Sequence, residues 1–577
     1  MKKLLKAPEL YLSVVLLACA IFTIWCEPKI SNVRLIVDGV EEEATLPISE
    51  EIPDHRLFYV KMDVSNLNFS EYSFHVIPDD CLEKLSVNDE KVSLDAVPER
   101  CNYTRGMYLN SGIFPAAEDG TLHMNFALKD NGGPGGLSVE IYQNGFLWKL
   151  FQGLFTVVFL TLAFLMLRRY RVPIPFALLI VIATLCHVIY TEATTYTTRT
   201  HDVDGHVGYI EYIADHHRIP ANDDCWSCYH PPVYYTMMAP VWAIANGVGF
   251  PPARAVQWAT FILSFVLVAT GIGVLRLLMN GPALGIASVL WAFFPSLFLI
   301  SPRIGNDQLF FLAHVICLCA SLSYMVKRKP AALVIGAIAC WAAYWTKSTG
   351  FVTICTWLAG FVLGYFPRNR MLPKTEEWIG LLLMLGLGIS ILVKLWMGNA
   401  LVGNAGGLNS RLLVDSDAVN FLYFDVPGFL STVYTDAWND EGGRQYFWNY
   451  LFKSALFGEF KIRTDTFGNW VASILNYSFF GLLIFGAVGF WKKKFDGRVL
   501  LLWVNGGLFL LALAVLRLKY PYSCSNDFRY ILPILLSFVP YVGWGIFKEN
   551  ASLKWEVCGI ACSAVFVISS CLLYLSL

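Results

Sequence analysis

Long runs of apolar residues recur along the chain, at 10–25, 149–168, 173–191, 255–278, 282–301, 307–326, 330–346, 349–366, 377–398, 468–491, 498–516, 528–546 and 556–576. A helix needs about 20 such residues to cross a bilayer core. The pattern therefore predicts thirteen transmembrane helices. One stretch, 231–248, is ambiguous: it opens on Pro231 and Pro232 and carries Pro240. If it crossed, the basic clusters Arg168–Arg171, Lys327–Lys329, Arg368/Arg370/Lys374, Lys492–Lys494 and Lys548/Lys554 would not share one face. Read as an interfacial or re-entrant helix on the outer face, it leaves all of them inside, where Lys and Arg concentrate. Four polar stretches then share the outer face: 192–230, 302–307, 399–467 and 517–527.

Residues 27–146 follow another rhythm. Period-two alternation appears at Leu122, Met124, Phe126 and Leu128, and again at Leu137, Val139 and Ile141. The Gly-rich stretch 131–136 separates the two runs. Residues 85–92 read as strand, tight turn, strand. An all-β sandwich is expected, inserted after the first helix. Lys2, Lys3 and Lys6 precede that helix, which predicts a signal anchor over 1–26 with its N-terminus inside. The rest, 147–577, is expected to be one polytopic helical domain with outer loops at 192–254 and 399–467.

Charge sharpens this division. Residues 27–146 hold 21 acidic and 9 basic residues, while the whole chain holds 44 and 43. The β domain is thus strongly acidic and unsuited to an anionic lipid surface. The chain is 56% hydrophobic and 15% charged, with mean hydropathy +0.52. Soluble proteins carry about 25% charged residues. A soluble enzyme, a disordered protein and a nucleic-acid binder are all excluded, the last for want of a basic excess.

The polar chemistry gathers in the outer stretches. Asp202, Asp204 and His206 stand where the chain leaves a membrane helix and enters an amphipathic segment, with Val207, Ile210 and Ile213 at helical spacing. One aspartate can cap that helix. Two with a histidine exceed what a cap requires, and ionisable groups at a bilayer edge point to function. Asp307 opens a membrane helix, Lys347 separates two apolar runs, and Arg529 follows the last polar stretch. Aromatics, amides and acids interleave over 438–450, including Asp440 and Glu441, in a pattern suited to a sugar or to an interfacial belt. Cys81 and Cys101 lie in the acidic domain, and Cys225 and Cys228 in the first outer loop. Disulfides suit an oxidising compartment. Zinc at Cys225 and Cys228 would need two further ligands, with His216, His217 and His230 nearby. Asn68, Asn102 and Asn476 begin glycosylation sequons.

The order of spanning helix, acidic outer loop, surface helix and then His230-Pro231-Pro232 resembles the GT-C superfamily of membrane glycosyltransferases. It is most similar to the family-39 branch, which includes protein O-mannosyltransferases and the aminoarabinose transferases of lipid A. Three later segments resemble that family's motifs: Arg303–Leu309, Trp345–Gly350 and Asp527–Pro533. The family's Asp-Glu pair is matched only at Asp202; Val203 takes the Glu position and Asp204 follows. Whether Asp202 or Asp204 is the base stays open here. The resemblance covers about 173–547, and the first 150 residues match nothing in it.

The resemblance implies transfer of a sugar from a polyprenyl-phosphate donor to a hydroxyl of a glycan, lipid or protein acceptor, with inversion. Asp202, Asp204 and His206 would be catalytic; Lys347 and Arg529 would hold the donor phosphate; Asp307, Tyr229, His230, Asp440 and Glu441 would contact substrate. No nucleotide-binding motif is visible, as a lipid-linked donor requires. No cofactor is implied, and a divalent cation, Mg or Mn, is left open. The short basic start is expected of a bacterial inner-membrane protein working on its extracytoplasmic face. Two other classes stand beside this one: a flippase for lipid-linked glycans, which would place charges near the midplane in repeated halves, and a non-catalytic glycan-binding membrane protein.

Overall fold

A computed structural model of the chain describes residues 8–576, except 53–55, 68–70, 79–80, 95–99, 102–106, 115–119, 131–133, 223, 226, 367–371, 397–409 and 441–442. The sequons at Asn68 and Asn102, and Glu441, lie outside the described residues. The chain forms two compact units, 1–172 with 245–250, and 173–244 with 251–577.

The first unit contains helix α1 (Pro8–Cys26), ten strands, and helix α2 (Phe146–Arg169). The strands are β1 (Lys29–Val37), β2 (Val40–Glu43), β3 (Ile48–Glu51), β4 (Leu57–Ser65), β5 (Tyr72–Pro78), β6 (Cys81–Val87), β7 (Glu90–Val92), β8 (Met107–Asn110), β9 (Leu122–Lys129) and β10 (Pro134–Gln143). They build a six-stranded sheet in the order β2-β1-β4-β9-β6-β7 and a four-stranded sheet in the order β3-β10-β5-β8. All pairings are antiparallel, and one apolar core joins residues of both sheets, among them Val60 and Phe126 from the first and Phe74 and Val139 from the second. The alternating residues of β9 point into it: Leu122, Met124, Phe126 and Leu128 are all buried. The turn at Asn88 (φ 50) and Asp89 (φ 63) supplies the two left-handed residues of a tight hairpin and pairs Val87 with Glu90. Cys81 and Cys101 are disulfide-bonded. Both helices tie to the strands or to each other: Gln143 Nε2 donates to the Cys26 carbonyl at 2.5 Å, and the Phe22 and Phe151 rings meet at 4.8 Å.

The second unit is helical. It runs through α3 (Ile174–Glu192), α4 (Val203–His216), α5 (Val233–Gly247), α6 (Pro252–Leu278), α7 (Gly281–Ala292), α8 (Pro295–Ile300), α9 (Asp307–Lys327), α10 (Ala331–Tyr344), α11 (Phe351–Tyr365) and α12 (Thr375–Trp396). After two short helices, α13 (Ala418–Leu422) and α14 (Val426–Ser431), come α15 (Phe447–Phe457), α16 (Thr466–Lys492), α17 (Gly497–Lys519), α18 (Leu535–Ile546) and α19 (Leu553–Leu575).

Eleven helical segments among the described residues are long and apolar enough to cross a membrane, so this is a multi-pass membrane protein. Two of the thirteen expected runs are shorter than that. The run 282–301 divides into α7 and α8, because Pro295 lacks the donor that would continue the first helix. The run 330–346 yields α10, 14 residues long, after which the backbone becomes extended at Lys347 (φ −153, ψ 139). Helix α5 has 15 residues and falls below the length of a span. Helices α16 and α18 pack backbone to backbone through Gly489 and Gly545: a Cβ on Gly489 would lie 1.8 Å from the Tyr541 carbonyl oxygen. Asn476 is buried in α16 and donates to the Phe429 carbonyl at 2.7 Å, so it is no glycosylation acceptor.

Candidate functional site

The start of α4, the start of α9, the chain after α10 and the turn at 528–534 are drawn together by buried hydrogen bonds. Val233 N donates to the Trp345 carbonyl at 3.1 Å, which ties the start of α5 to the end of α10. Gly305 N donates to Tyr234 Oη at 3.1 Å, and Asn306 Nδ2 to the Thr346 carbonyl at 3.2 Å. Gln308 Nε2 donates to the carbonyls of Ile300 and Arg303, holding the loop before α9. Beyond Lys347 the chain turns sharply against α10. A Cβ on Gly350 would lie 2.4 Å from Tyr344 Cα, so only glycine fits that turn. These contacts bring Lys347 onto Asp307 as an ion pair, with its ammonium 5.1 Å from the Tyr530 ring centre. Arg529 stacks on the same ring at 4.9 Å and donates to Tyr530 Oη at 3.0 Å.

Asp202 occupies the N-cap position of α4, but its side chain makes no capping hydrogen bond and its backbone is left-handed (φ 57). Capping, the simplest structural role for this residue, is not what its carboxylate does. Its exposed charge instead acts on Arg529, Tyr530, Tyr229 and His206. Asp204 is also exposed at its surface; desolvation of its carboxyl, then the Asp202 charge, raises its pKa.

His206 is buried and accepts from or donates to Tyr235 Oη through Nδ1 at 2.8 Å. Burial depresses its pKa to about 4, with Asp202 and Asp307 opposing and Lys347 and Arg529 adding to the shift. It is therefore a neutral imidazole at neutral pH. His230 stacks on it at 5.6 Å and is held well below the usual histidine range by burial, then by His206 and Lys347. Tyr229 is pushed up to about 12 by burial and then by Asp202. Five of the expected site residues thus converge with Tyr229 and His230: Asp202, His206, Asp307, Lys347 and Arg529, with Asp204 meeting them only through Asp202. Asp440 does not join them through an ion pair; it is exposed and pairs with Arg444 at 3.2 Å. Within the aromatic and amide run beside it, Asn449 is fully buried in α15 and bonds both backbone groups of Asp425.

The same region contains groups that sequence reasoning gave no role. His201 Nε2 lies 3.5 Å from Asp527 Oδ2 and 3.9 Å from Glu459 Oε2. Arg303 is buried, donates to the Arg199 carbonyl at 3.0 Å and stands over Phe460 at 5.5 Å. Burial and then Asp527 push Glu459 up to about 7. Asp527 and Tyr530 belong to a segment already singled out, so their neighbourhood to Arg529 was signalled. Nothing in the linear pattern links His201 to Glu459, which is 258 positions away. Cys225 and Cys228 are disulfide-bonded to each other, so their sulfurs are not paired with His216, which instead meets the Tyr212 carbonyl at 3.1 Å.

No protein-family description and no curated protein sequence matches this chain. Among solved structures it is similar to the apo oligosaccharyltransferase of Archaeoglobus fulgidus, with TM-score 0.38 and 13% identity over 70% of this chain and 55% of that one. It is also similar to the arabinosyltransferase EmbB of Mycobacterium smegmatis, with TM-score 0.35 and 11% identity over 93% of this chain and 53% of that one. The chain spans about half the length of both structures. Likeness at this level fixes neither fold nor activity, which leaves the side chains to decide.

Proposed function

We propose that this protein is a GT-C-type membrane glycosyltransferase that moves a sugar from a polyprenyl-phosphate donor to an acceptor hydroxyl on the extracytoplasmic face. The observation that carries this reading is the meeting of Lys347 and Arg529 on the Tyr530 ring, at 5.1 and 4.9 Å, in a cluster with an Asp202 carboxylate that is exposed and makes no capping hydrogen bond. On this reading a base and a phosphate-binding cation share one mouth at the ends of membrane helices.

The reaction follows from that pairing. Asp202 takes the proton as the acceptor oxygen attacks the anomeric carbon. The bond from that carbon to the phosphate oxygen breaks, and configuration inverts. Negative charge grows on the departing phosphate, which Arg529 and Lys347 stabilise most in the transition state. His206 and His230, kept neutral, can exchange hydrogen bonds with sugar hydroxyls without adding charge. Asp204, its pKa raised by desolvation and by the Asp202 charge, is assigned no step in this reaction. The lipid tail of the donor would lie among the helices. A bacterial inner membrane is the proposed location, and the acceptor is a glycan, lipid or protein.

The test is transfer by the purified full-length protein from a defined series of polyprenyl-phosphate sugars to hydroxyl acceptors, with products separated by mass. A new glycoside with released polyprenyl phosphate supports the reading. Movement of the intact donor across a vesicle bilayer with no glycoside formed would assign the flippase class instead.

A further inference from the structure

His201, Glu459 and Asp527 come from three distant parts of the second unit: the segment before α4, the turn after α15 and the loop before Arg529. One ligand atom of each lies within 4.8 Å of the other two. The side chains are 10%, 14% and 2% exposed. Neither His201 Nε2 nor Asp527 Oδ2 has a hydrogen-bond partner among the described residues. An unsatisfied buried polar atom costs about 1–3 kcal/mol, and here two face one another.

The remaining atoms of these groups are pinned. Asp527 Oδ1 accepts from Arg529 N at 2.8 Å, Glu459 Oε1 accepts from Tyr450 Oη at 2.6 Å, and the His201 ring stacks on Phe460 at 5.1 Å. Supports of this kind aim the free atoms, as the outer partners of metal ligands do.

We propose that His201 Nε2, Glu459 Oε2 and Asp527 Oδ2 bind one divalent first-row cation, Mn2+ or Zn2+. Metal–ligand bonds of about 2.0–2.2 Å place neighbouring ligands about 3.0–3.5 Å apart. The observed separations of 3.5 and 3.9 Å from His201, with all three ligand atoms within 4.8 Å of one another, require the cluster to close on the ion. An imidazole nitrogen with two carboxylate oxygens suits these ions better than Mg2+, which prefers oxygen and water. Three protein ligands leave a coordination position open to water or an anion. Arg529 Nε, 3.7 Å from Asp527 Oδ2, and Arg303, which stands over Phe460, oppose the added charge, so binding is moderate rather than tight.

The ion is detected by binding, which keeps the test independent of sugar transfer. Full-length protein, stripped with a chelator and held in detergent micelles, is titrated with Mn2+ and followed by electron paramagnetic resonance, with Zn2+ as competitor. One Mn2+ per chain is expected. His201→Gln and Glu459→Gln should each weaken it about tenfold or more, while Glu376→Gln, remote from the cluster, leaves it unchanged. Thermal melts report whether each variant folds, and Glu459→Gln carries the test if the histidine variant does not. No bound Mn2+ at millimolar ion, or binding that survives both folded variants, overturns the proposal and leaves an Arg529–Asp527 ion pair as the cluster's purpose.

Discussion

Lys347 and Asp307 form an ion pair that joins the chain after α10 to the first turn of α9. Their side chains are 13% and 21% exposed, so each partner is largely withdrawn from water. The aspartate also suits the positive end of the α9 dipole. This pair is both a brace and, on the proposed mechanism, half of the donor-phosphate site.

Those two roles separate in a double-mutant cycle. Lys347→Met strands the Asp307 carboxylate, at a cost below the about 3–5 kcal/mol of a fully buried pair. Adding Asp307→Asn removes the stranded charge and should return most of the thermal stability. Donor affinity should stay low in both variants. Melting curves and donor titration measure the two effects. If the double variant binds donor like wild type, Lys347 is a brace only.

Arg529 tests the geometry of phosphate binding. Its planar guanidinium lies 4.9 Å from the Tyr530 ring centre and keeps Tyr530 Oη as a partner. Lysine retains the charge but cannot present the same fork. Losing one charge-assisted hydrogen bond is worth roughly 1.5 kcal/mol, or about tenfold. Arg529→Lys should therefore cut kcat/KM for the donor by about that factor with little change in acceptor KM, read from initial rates at varied donor.

The buried histidines set a pH dependence. His206 titrates near 4 in the folded protein, below its ordinary value of 6.5. Between those values the unfolded chain binds a proton that the folded one does not, so stability rises with pH across this window and falls as pH drops. Each tenfold change in proton affinity is worth about 1.4 kcal/mol, so His206 contributes up to about 3 kcal/mol of that fall. Melting temperature measured from pH 7 to 4 should decline, and His206→Gln should decline less steeply. Equal slopes would remove His206 as the cause.

The membrane orientation rests on the distribution of basic clusters. A cysteine at Asp215, at the end of α4, should react with an impermeant thiol reagent from outside intact cells. One at Lys493 should react only after permeabilisation. The reverse result would move the whole charged cluster to the inner face.

The hydrophobic pattern made the long helices legible, because a span requires an unbroken apolar run and little else resembles one. The alternation over 122–128 likewise marked a strand with one buried side, and the structure buries those residues. Helix lengths were less legible: Pro295 inside one apolar run, and an extended residue after the other, shortened two runs whose overall hydropathy suited a span. In the site, Asp202, Asp307, Lys347 and Arg529 were visible as charges interrupting apolar sequence. His201 and Glu459 were not, since the partner of each is far away in sequence and is supplied by tertiary folding. Asn449 and Tyr450 misled for the opposite reason. Their types suit a sugar, yet their groups are spent on Asp425 and Glu459 inside the protein.

The most direct measurement compares Asp202→Asn with Asp204→Asn in single-turnover transfer from a polyprenyl-phosphate sugar at saturating donor. Both substitutions keep size and remove one charge. The Asp202 charge acts on Arg529 and Tyr530, while the pKa of the Asp204 carboxyl is raised by desolvation and then by Asp202. Loss of a general base costs about 10²–10⁴-fold. The predicted result is a fall of that size for Asp202→Asn with donor still bound, and a rate near wild type for Asp204→Asn. Near-normal transfer by Asp202→Asn would contradict the account.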